Sequence, residues 1–79
     1  MINMMPAARD AEIKDQLERF VRIRTGGTIR ELAVVIENNL ATIQGRTSTF
    51  YCKMLATHAA LDVTTPAGIE LQNDIEVGR

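Results

Sequence analysis

Residues 28–46 decide which fold the sequence predicts: Thr28-Ile-Arg-Glu-Leu-Ala-Val-Val-Ile-Glu-Asn-Asn-Leu-Ala-Thr-Ile-Gln-Gly-Arg46. Thr28 suits the N-cap of a short helix, with Glu31 three residues later as its capping-box partner. Asn38 and Asn39 tolerate the left-handed conformation that a tight turn needs. A further helix would begin at Leu40. The stretch therefore predicts two closely joined helices, which form a helix-turn-helix unit.

A first helix is predicted before this unit, over about residues 8–24. Its apolar residues Ile13, Leu17, Phe20 and Val21 follow the period of one helix face. The paired glycines at 26 and 27 would end that helix, because glycine readily adopts the left-handed C-terminal cap.

The helix that begins at Leu40 is predicted to continue to about His58 and to divide into three stripes. Its buried face would consist of Leu40, Ile43, Thr47, Phe50, Tyr51, Met54 and Leu55. A ridge of small residues would consist of Ala41, Gly45, Ser48 and Cys52. A polar and basic stripe would consist of Thr42, Arg46, Thr49 and Lys53.

A short β-hairpin is predicted to follow this helix. Residues 61–65 and 69–71 alternate between apolar and polar positions, and Pro66-Ala67-Gly68 between them suits a turn. The predicted fold class is therefore mainly α with a small β-hairpin, as a single domain over residues 8–72. Residues 1–7 and 73–79 are expected to be flexible tails.

Composition narrows the possible functions of these 79 residues. One cysteine and one histidine make neither an internal disulfide nor a usual zinc site, so no metal or cofactor is expected. The sequence offers no nucleophile with a plausible His partner, no phosphate-binding loop and no metal cluster, so nothing in it supports an enzyme. No apolar run approaches the length of a membrane span. A cytoplasmic protein without membrane contact is expected.

The charge is unevenly distributed along the chain, although the net charge is only -1. Both ends are acidic, and the middle segment, residues 19–61, is basic. This basic segment contains the predicted helix-turn-helix unit, which favours contact with nucleic acid. A mixed, solvated surface explains the same pattern without any ligand.

The order of helix, helix-turn-helix unit and hairpin resembles the winged helix-turn-helix family, and within it small bacterial, plasmid and phage transcription regulators. Residues 28–33 resemble the opening of that family's second helix, and residues 41–43 resemble the opening of its recognition helix. Residues 61–69 resemble a short wing. The resemblance covers roughly residues 9–72. The chain departs from the family in having no Lys or Arg in the wing, so a wing contact with DNA is not inferred.

The resemblance implies a DNA-binding transcription regulator that acts as a homodimer and places its third helix in the major groove of double-stranded DNA. Arg46 would pair with guanine and Gln44 with adenine. The predicted DNA-binding residues are Arg30, Ala41, Thr42, Gln44, Gly45, Arg46, Thr49 and Lys53.

An alternative hypothesis is a protein–protein interaction module that uses the same fold and docks through the small-residue face of helix three. The low net charge and the uncharged wing favour this alternative. Two predicted site features also have purely structural explanations. Relief of crowding between helices explains Gly45, and a solvated face explains Arg46 and Lys53.

Overall fold

The computed structural model describes the backbone of residues 6–78 and the side chains of residues 9–78. It contains two helices and one three-stranded sheet, which is an α/β fold, so the prediction of a three-helix winged helix-turn-helix domain is wrong. The elements in chain order are α1 (Pro6–Arg24), β1 (Arg30–Glu37), β2 (Leu40–Thr47), α2 (Phe50–Ala67) and β3 (Glu70–Val77).

The predicted helix-turn-helix unit is a β-hairpin. β1 and β2 pair antiparallel, with Glu37 opposite Leu40. The predicted tight turn is present, because Asn38 and Asn39 have φ values of 52° and 63°. Two successive left-handed residues form the type I′ turn that matches the twist of a two-residue hairpin. The turn was therefore located correctly, but it joins two strands rather than two helices.

α2 connects two parallel strands. β3 pairs with β2 in parallel, from Leu40 opposite Glu70 to Thr47 opposite Val77, and the sheet order is β1-β2-β3. Parallel neighbours need a crossover connection, which is usually a helix, and α2 provides it. Residues 61–65, predicted as the first strand of a hairpin, form the last turns of α2 together with Pro66 and Ala67. Residues 73–77, predicted as part of a tail, belong to β3.

Both helices pack on one face of the sheet. α1 was predicted nearly correctly, and its residues Ile13, Leu17 and Val21 are buried as expected, whereas Phe20, predicted on the same face, is exposed. Thr25–Gly27 form the turn after α1, where the paired glycines predicted its end. Burial of each large aliphatic side chain contributes about 1.5–3 kcal/mol. The core consists of Ile13, Leu17, Val21, Ile29, Val34, Ala41, Ile43, Ala56, Ala59, Ala60, Val63, Ile69 and Ile75. The predicted N-terminal tail falls largely on residues 1–5, outside the described residues.

α2 begins ten residues later than the predicted third helix, and this shift changes which side chains are buried. Thr49 caps the helix by accepting a hydrogen bond from the Cys52 backbone N–H at 3.1 Å. Residues 40–47 follow the two-residue period of a strand, so the helical phase starts only at Phe50. Phe50, Tyr51 and Met54, predicted as core, are consequently exposed.

Gly68 ends α2 where Pro66-Ala67-Gly68 was predicted to turn the chain. Its φ of 72° is left-handed, and the Ile69 N–H donates to the Thr64 carbonyl at 3.0 Å. This is the helix C-cap arrangement that glycine favours. The turn therefore leads from a helix into β3, not from one strand of a hairpin to the next.

Gly45 allows β2 to lie close to the segment that enters β1. A Cβ atom at Gly45 would lie 2.7 Å from Ile29 Cγ2 and 3.0 Å from the Arg30 carbonyl oxygen. Position 45 therefore needs a residue without a side chain because its surroundings are crowded. Crowding was one explanation predicted for Gly45, but the crowding neighbour is the segment that enters β1 and not a helix. A close approach of Gly45 to DNA is not needed to explain it.

We expect Gly45→Ala to destabilise the fold by about 1–3 kcal/mol, because the added methyl group must displace Ile29 or the backbone at Arg30. Urea unfolding followed by circular dichroism measures the change. Gly78→Ala is the matched control, since a Cβ there meets nothing within 4 Å. An unchanged unfolding midpoint for Gly45→Ala would contradict this account of the packing.

Candidate interaction surface

The sheet face opposite the helices is open among the described residues. Side chains alternate along each strand, so every second residue points to this open face. The strand registers arrange these residues in rows across the three strands. From the hairpin end, the rows are Glu37, Leu40 and Glu70; Val35, Thr42 and Gln72; Ala33, Gln44 and Asp74; and Arg30, Arg46 and Glu76.

The structure brings together four of the predicted DNA-binding residues. Thr42, Gln44 and Arg46 alternate along β2 and share the open face, and Arg30 lies opposite Arg46 in β1. All four residues lie on strands. The recognition helix assigned to Thr42, Gln44 and Arg46 therefore does not exist, and neither does the preceding helix assigned to Arg30. The predicted helix placed only Thr42 and Arg46 of these four on one stripe, so the grouping on the open face is a consequence of the strand period.

The other four predicted site residues lie elsewhere. Ala41 is fully buried beneath the helices, and Gly45 is on the same core-facing side of β2. Thr49 caps α2. Lys53 is in the first turns of α2, where its backbone carbonyl accepts a hydrogen bond from Asn73 Nδ2 at 3.1 Å. The small-residue face of a third helix, proposed as the alternative docking surface, is therefore not formed.

The open face is predominantly acidic. Its β3 column carries Glu70, Asp74 and Glu76, and only Gln72 in that column is uncharged. Arg46 Nε lies 3.9 Å from Glu76 Oε1, with both side chains more than half exposed. Such a pair contributes about 0–1 kcal/mol. It nevertheless places a carboxylate beside the arginine that was predicted to read guanine, which is unfavourable for contact with phosphate.

One corner of the open face is apolar. Ala33, Val35 and Leu40 are neighbours across β1 and β2, and Thr42 adds a methyl group beside them. Val35 is 43% exposed. The face thus combines a small apolar area on the hairpin with a row of carboxylates on β3.

The outer edge of β3 is blocked by a side chain. The Glu70 N–H donates to the carbonyl of Asn39, just before β2, and the Gly78 N–H donates to the carbonyl of Thr47 in β2. The alternate residues of β3, including Ile75, therefore direct their backbone groups away from the sheet. Asn73 Oδ1 accepts the Ile75 N–H at 2.9 Å. Asn73 Nδ2 also donates to Thr57 Oγ1 at 2.6 Å, which ties this cap to α2.

The outer edge of β1 has no such cap among the described residues. In a two-residue hairpin, Glu37 bonds to Leu40, so the backbone groups of Leu32, Val34 and Ile36 point away from β2. A groove follows this edge. It is lined by Asp10, Ala11, Lys14, Val34, Val35 and Ile36.

Cys52 has a polar environment at the start of α2. Thr28 Oγ1 donates to Cys52 Sγ at 3.2 Å. This hydrogen bond is the largest cause of a lowered pKa of the Cys52 thiol, and the side chains of Thr49 and Thr47 act in the same direction. Thr28 was predicted to cap a helix, but its hydroxyl instead contacts Cys52 and the Thr25 carbonyl.

The described residues contain no group of three or more His, Cys, Asp or Glu side chains that could hold a metal ion. Neither helix within residues 6–78 combines the length and apolar composition needed to cross a bilayer. Comparisons of the chain with models of protein families, with curated protein sequences and with solved structures found no match.

Neither the role of Asn73 nor the acidic column of β3 was predicted from the sequence. Residues 71–77 are Leu-Gln-Asn-Asp-Ile-Glu-Val. Apolar and polar residues alternate along this segment, except that the polar Asn73 occupies one of the inward positions. This alternation is the period of a half-buried strand and could have identified β3. The predicted strand ended at Leu71, whereas β3 continues to Val77.

We expect Thr28→Val to raise the pKa of Cys52, because it removes the hydrogen bond that most favours the thiolate. The thiolate is the reactive form, so alkylation by iodoacetamide near neutral pH should slow and its pH midpoint should move upward. At high pH the variant and the original protein should react alike. Thr65→Val, on an exposed part of α2, is the control. Superimposable pH profiles for Thr28→Val and the original protein would contradict the assignment.

Proposed function

We propose that this domain is a non-catalytic interaction module that binds a protein partner through its sheet. The observation that carries the proposal is the open face, which lies across a sheet containing the parallel pair β2–β3. Parallel strands are usually covered on both faces. A protein partner would cover the second face and bury its apolar corner.

The composition of the open face supports a partner with basic residues. The corner formed by Ala33, Val35 and Leu40 offers apolar contact, and the β3 carboxylates offer charge complementarity at its border. Complementary charges at the border of an interface increase association rate and specificity more than affinity. Cys52 is a free thiol, which is compatible with the reducing cytoplasm, where we propose that the module acts.

Double-stranded DNA, the partner predicted from the sequence, stays an untested prediction. The predicted contact through a third helix is not possible, because residues 40–47 form a strand. The predicted DNA-binding residues on the open face also lie beside the carboxylates of β3. A homodimer is likewise untested.

Site-specific photocrosslinking in the cells that make the protein tests the proposal. Benzoyl-phenylalanine in place of Val35 or Gln44 probes the open face, and the same group in place of Arg22 or His58 probes exposed helix positions as the control. We expect a discrete protein adduct of one mass, several-fold stronger from the sheet positions than from the helix positions. Equal labelling from all four positions, or no adduct, would contradict the proposal.

A duplex titration at several salt concentrations tests the competing DNA hypothesis. We expect no binding at low salt, because the candidate surface is acidic. Binding that weakens steeply as salt rises would indicate contact with several phosphates and would favour DNA over a protein partner.

A further inference from the structure

The two edges of the sheet differ in a way that indicates how a partner binds. Asn73 occupies the outer edge of β3, where it accepts the Ile75 N–H. At the outer edge of β1, the backbone groups of Leu32, Val34 and Ile36 have no strand beside them among residues 6–78. An open strand edge is a template for pairing with another extended chain, and proteins commonly block edges that are not used.

We propose that β1 accepts an extended segment of a partner protein as an added antiparallel strand. The proposal rests on the protein-binding function proposed above and specifies its mode. The added strand would extend the sheet to four strands, with the partner at the end of the order beside β1.

Backbone features at both ends of β1 limit how many of its residues can pair with a partner strand. Glu31 has a φ of 57°, and the register with β2 shifts between Arg30 and Ala33. The extended edge therefore begins at Leu32, one residue before regular pairing with β2 resumes at Ala33. The Asn38-Asn39 turn ends the strand at the other side. About five residues, from Leu32 to Ile36, are therefore available for a partner strand.

The groove beside the β1 edge indicates which partner side chains would be accommodated there. Partner residues opposite Leu32, Val34 and Ile36 would point toward α1, where the groove is lined partly by Ala11 and by Lys14. β-branched side chains favour the extended conformation of an added strand and would contact Val34, Ile36 and Ala11 here. The alternate partner residues would lie on the open face beside Ala33 and Val35.

The charges at the two ends of the edge select a heterologous partner with basic flanks. Glu31 and Glu37 lie just beyond the five-residue edge. In a second copy paired antiparallel about Val34, Glu31 of one chain would lie opposite Glu37 of the other, at both ends of the ladder. Like charges directly opposite destabilise strand pairing, whereas Lys or Arg at these places would be favourable.

The probe is a capped heptapeptide, Lys-Val-Thr-Val-Thr-Val-Lys, whose central valine would lie opposite Val34. We expect it to bind, with its lysines beside Glu31 and Glu37, and to slow hydrogen exchange of the Leu32, Val34 and Ile36 amides. N-methylation of the three valines removes the N–H groups that face β1, so it should weaken binding at least about tenfold. N-methylation of the two threonines should leave binding nearly unchanged.

Charge exchange supplies a second test on the protein side. Glu37→Lys should weaken binding of the lysine-ended peptide and strengthen binding of the same peptide with glutamate ends. Glu70→Lys is the matched control, because Glu70 lies in the same row of the open face but on β3. An equal effect of the two substitutions would overturn the proposal.

Three results would overturn the strand-addition proposal directly. They are protection from hydrogen exchange at the β3 edge instead of the β1 edge, equal affinity of the two N-methylated peptides, and no binding at millimolar peptide.

A second copy of the chain is a separate outcome. If the β1 amides become protected as the concentration of protein alone increases, and the mass in solution doubles, the occupant is a second copy and the heterologous partner is wrong. Photocrosslinks from the open face can persist in each of these cases, so failure of this proposal is distinguishable from failure of the proposed function.

Discussion

The parallel pairing of β2 with β3 is the constraint on which the rest of the structure depends. Because the two strands run in the same direction, the chain must return along one face of the sheet, and α2 occupies that face. α1 packs beside α2, where Arg24 pairs with Asp62 at 3.0 Å. Both helices are thereby placed in one layer, and the opposite face of the sheet is left uncovered among the described residues. The candidate interaction surface follows from this topology.

The sequence predicted the local features of the fold better than its pairing. α1 was recognised because its helical period extends over several turns, and the turns at Asn38-Asn39 and Gly68 were located because their residues favour left-handed backbone. The elements between the turns were misassigned. Asn-Asn suits a connection between helices as well as a type I′ hairpin, and the β-branched run Val34-Val35-Ile36 was the signal that favoured the strand.

The candidate surface could be predicted only in part. Thr42, Gln44 and Arg46 share a face in a strand because alternate residues do so, whereas the helical interpretation divided them differently. The carboxylates beside them come from β3, which is distant in the sequence, and no local pattern shows that these segments are neighbours. Asn73 illustrates the same limit, since its role depends on Thr57 of α2 and on the edge position of β3.

The hairpin and the crossover also differ in how far apart their paired residues lie along the chain. β1 and β2 meet across two turn residues, whereas Leu40 and Glu70, which are paired across β2 and β3, are separated along the chain by the rest of β2 and the whole of α2. Contacts between distant residues form more slowly because a larger loop must close first. The hairpin is therefore expected to fold earlier, and until β3 docks, β2 is itself an unblocked edge. The rate at which the crossover closes thus sets how long the folding chain is exposed to mispairing and aggregation.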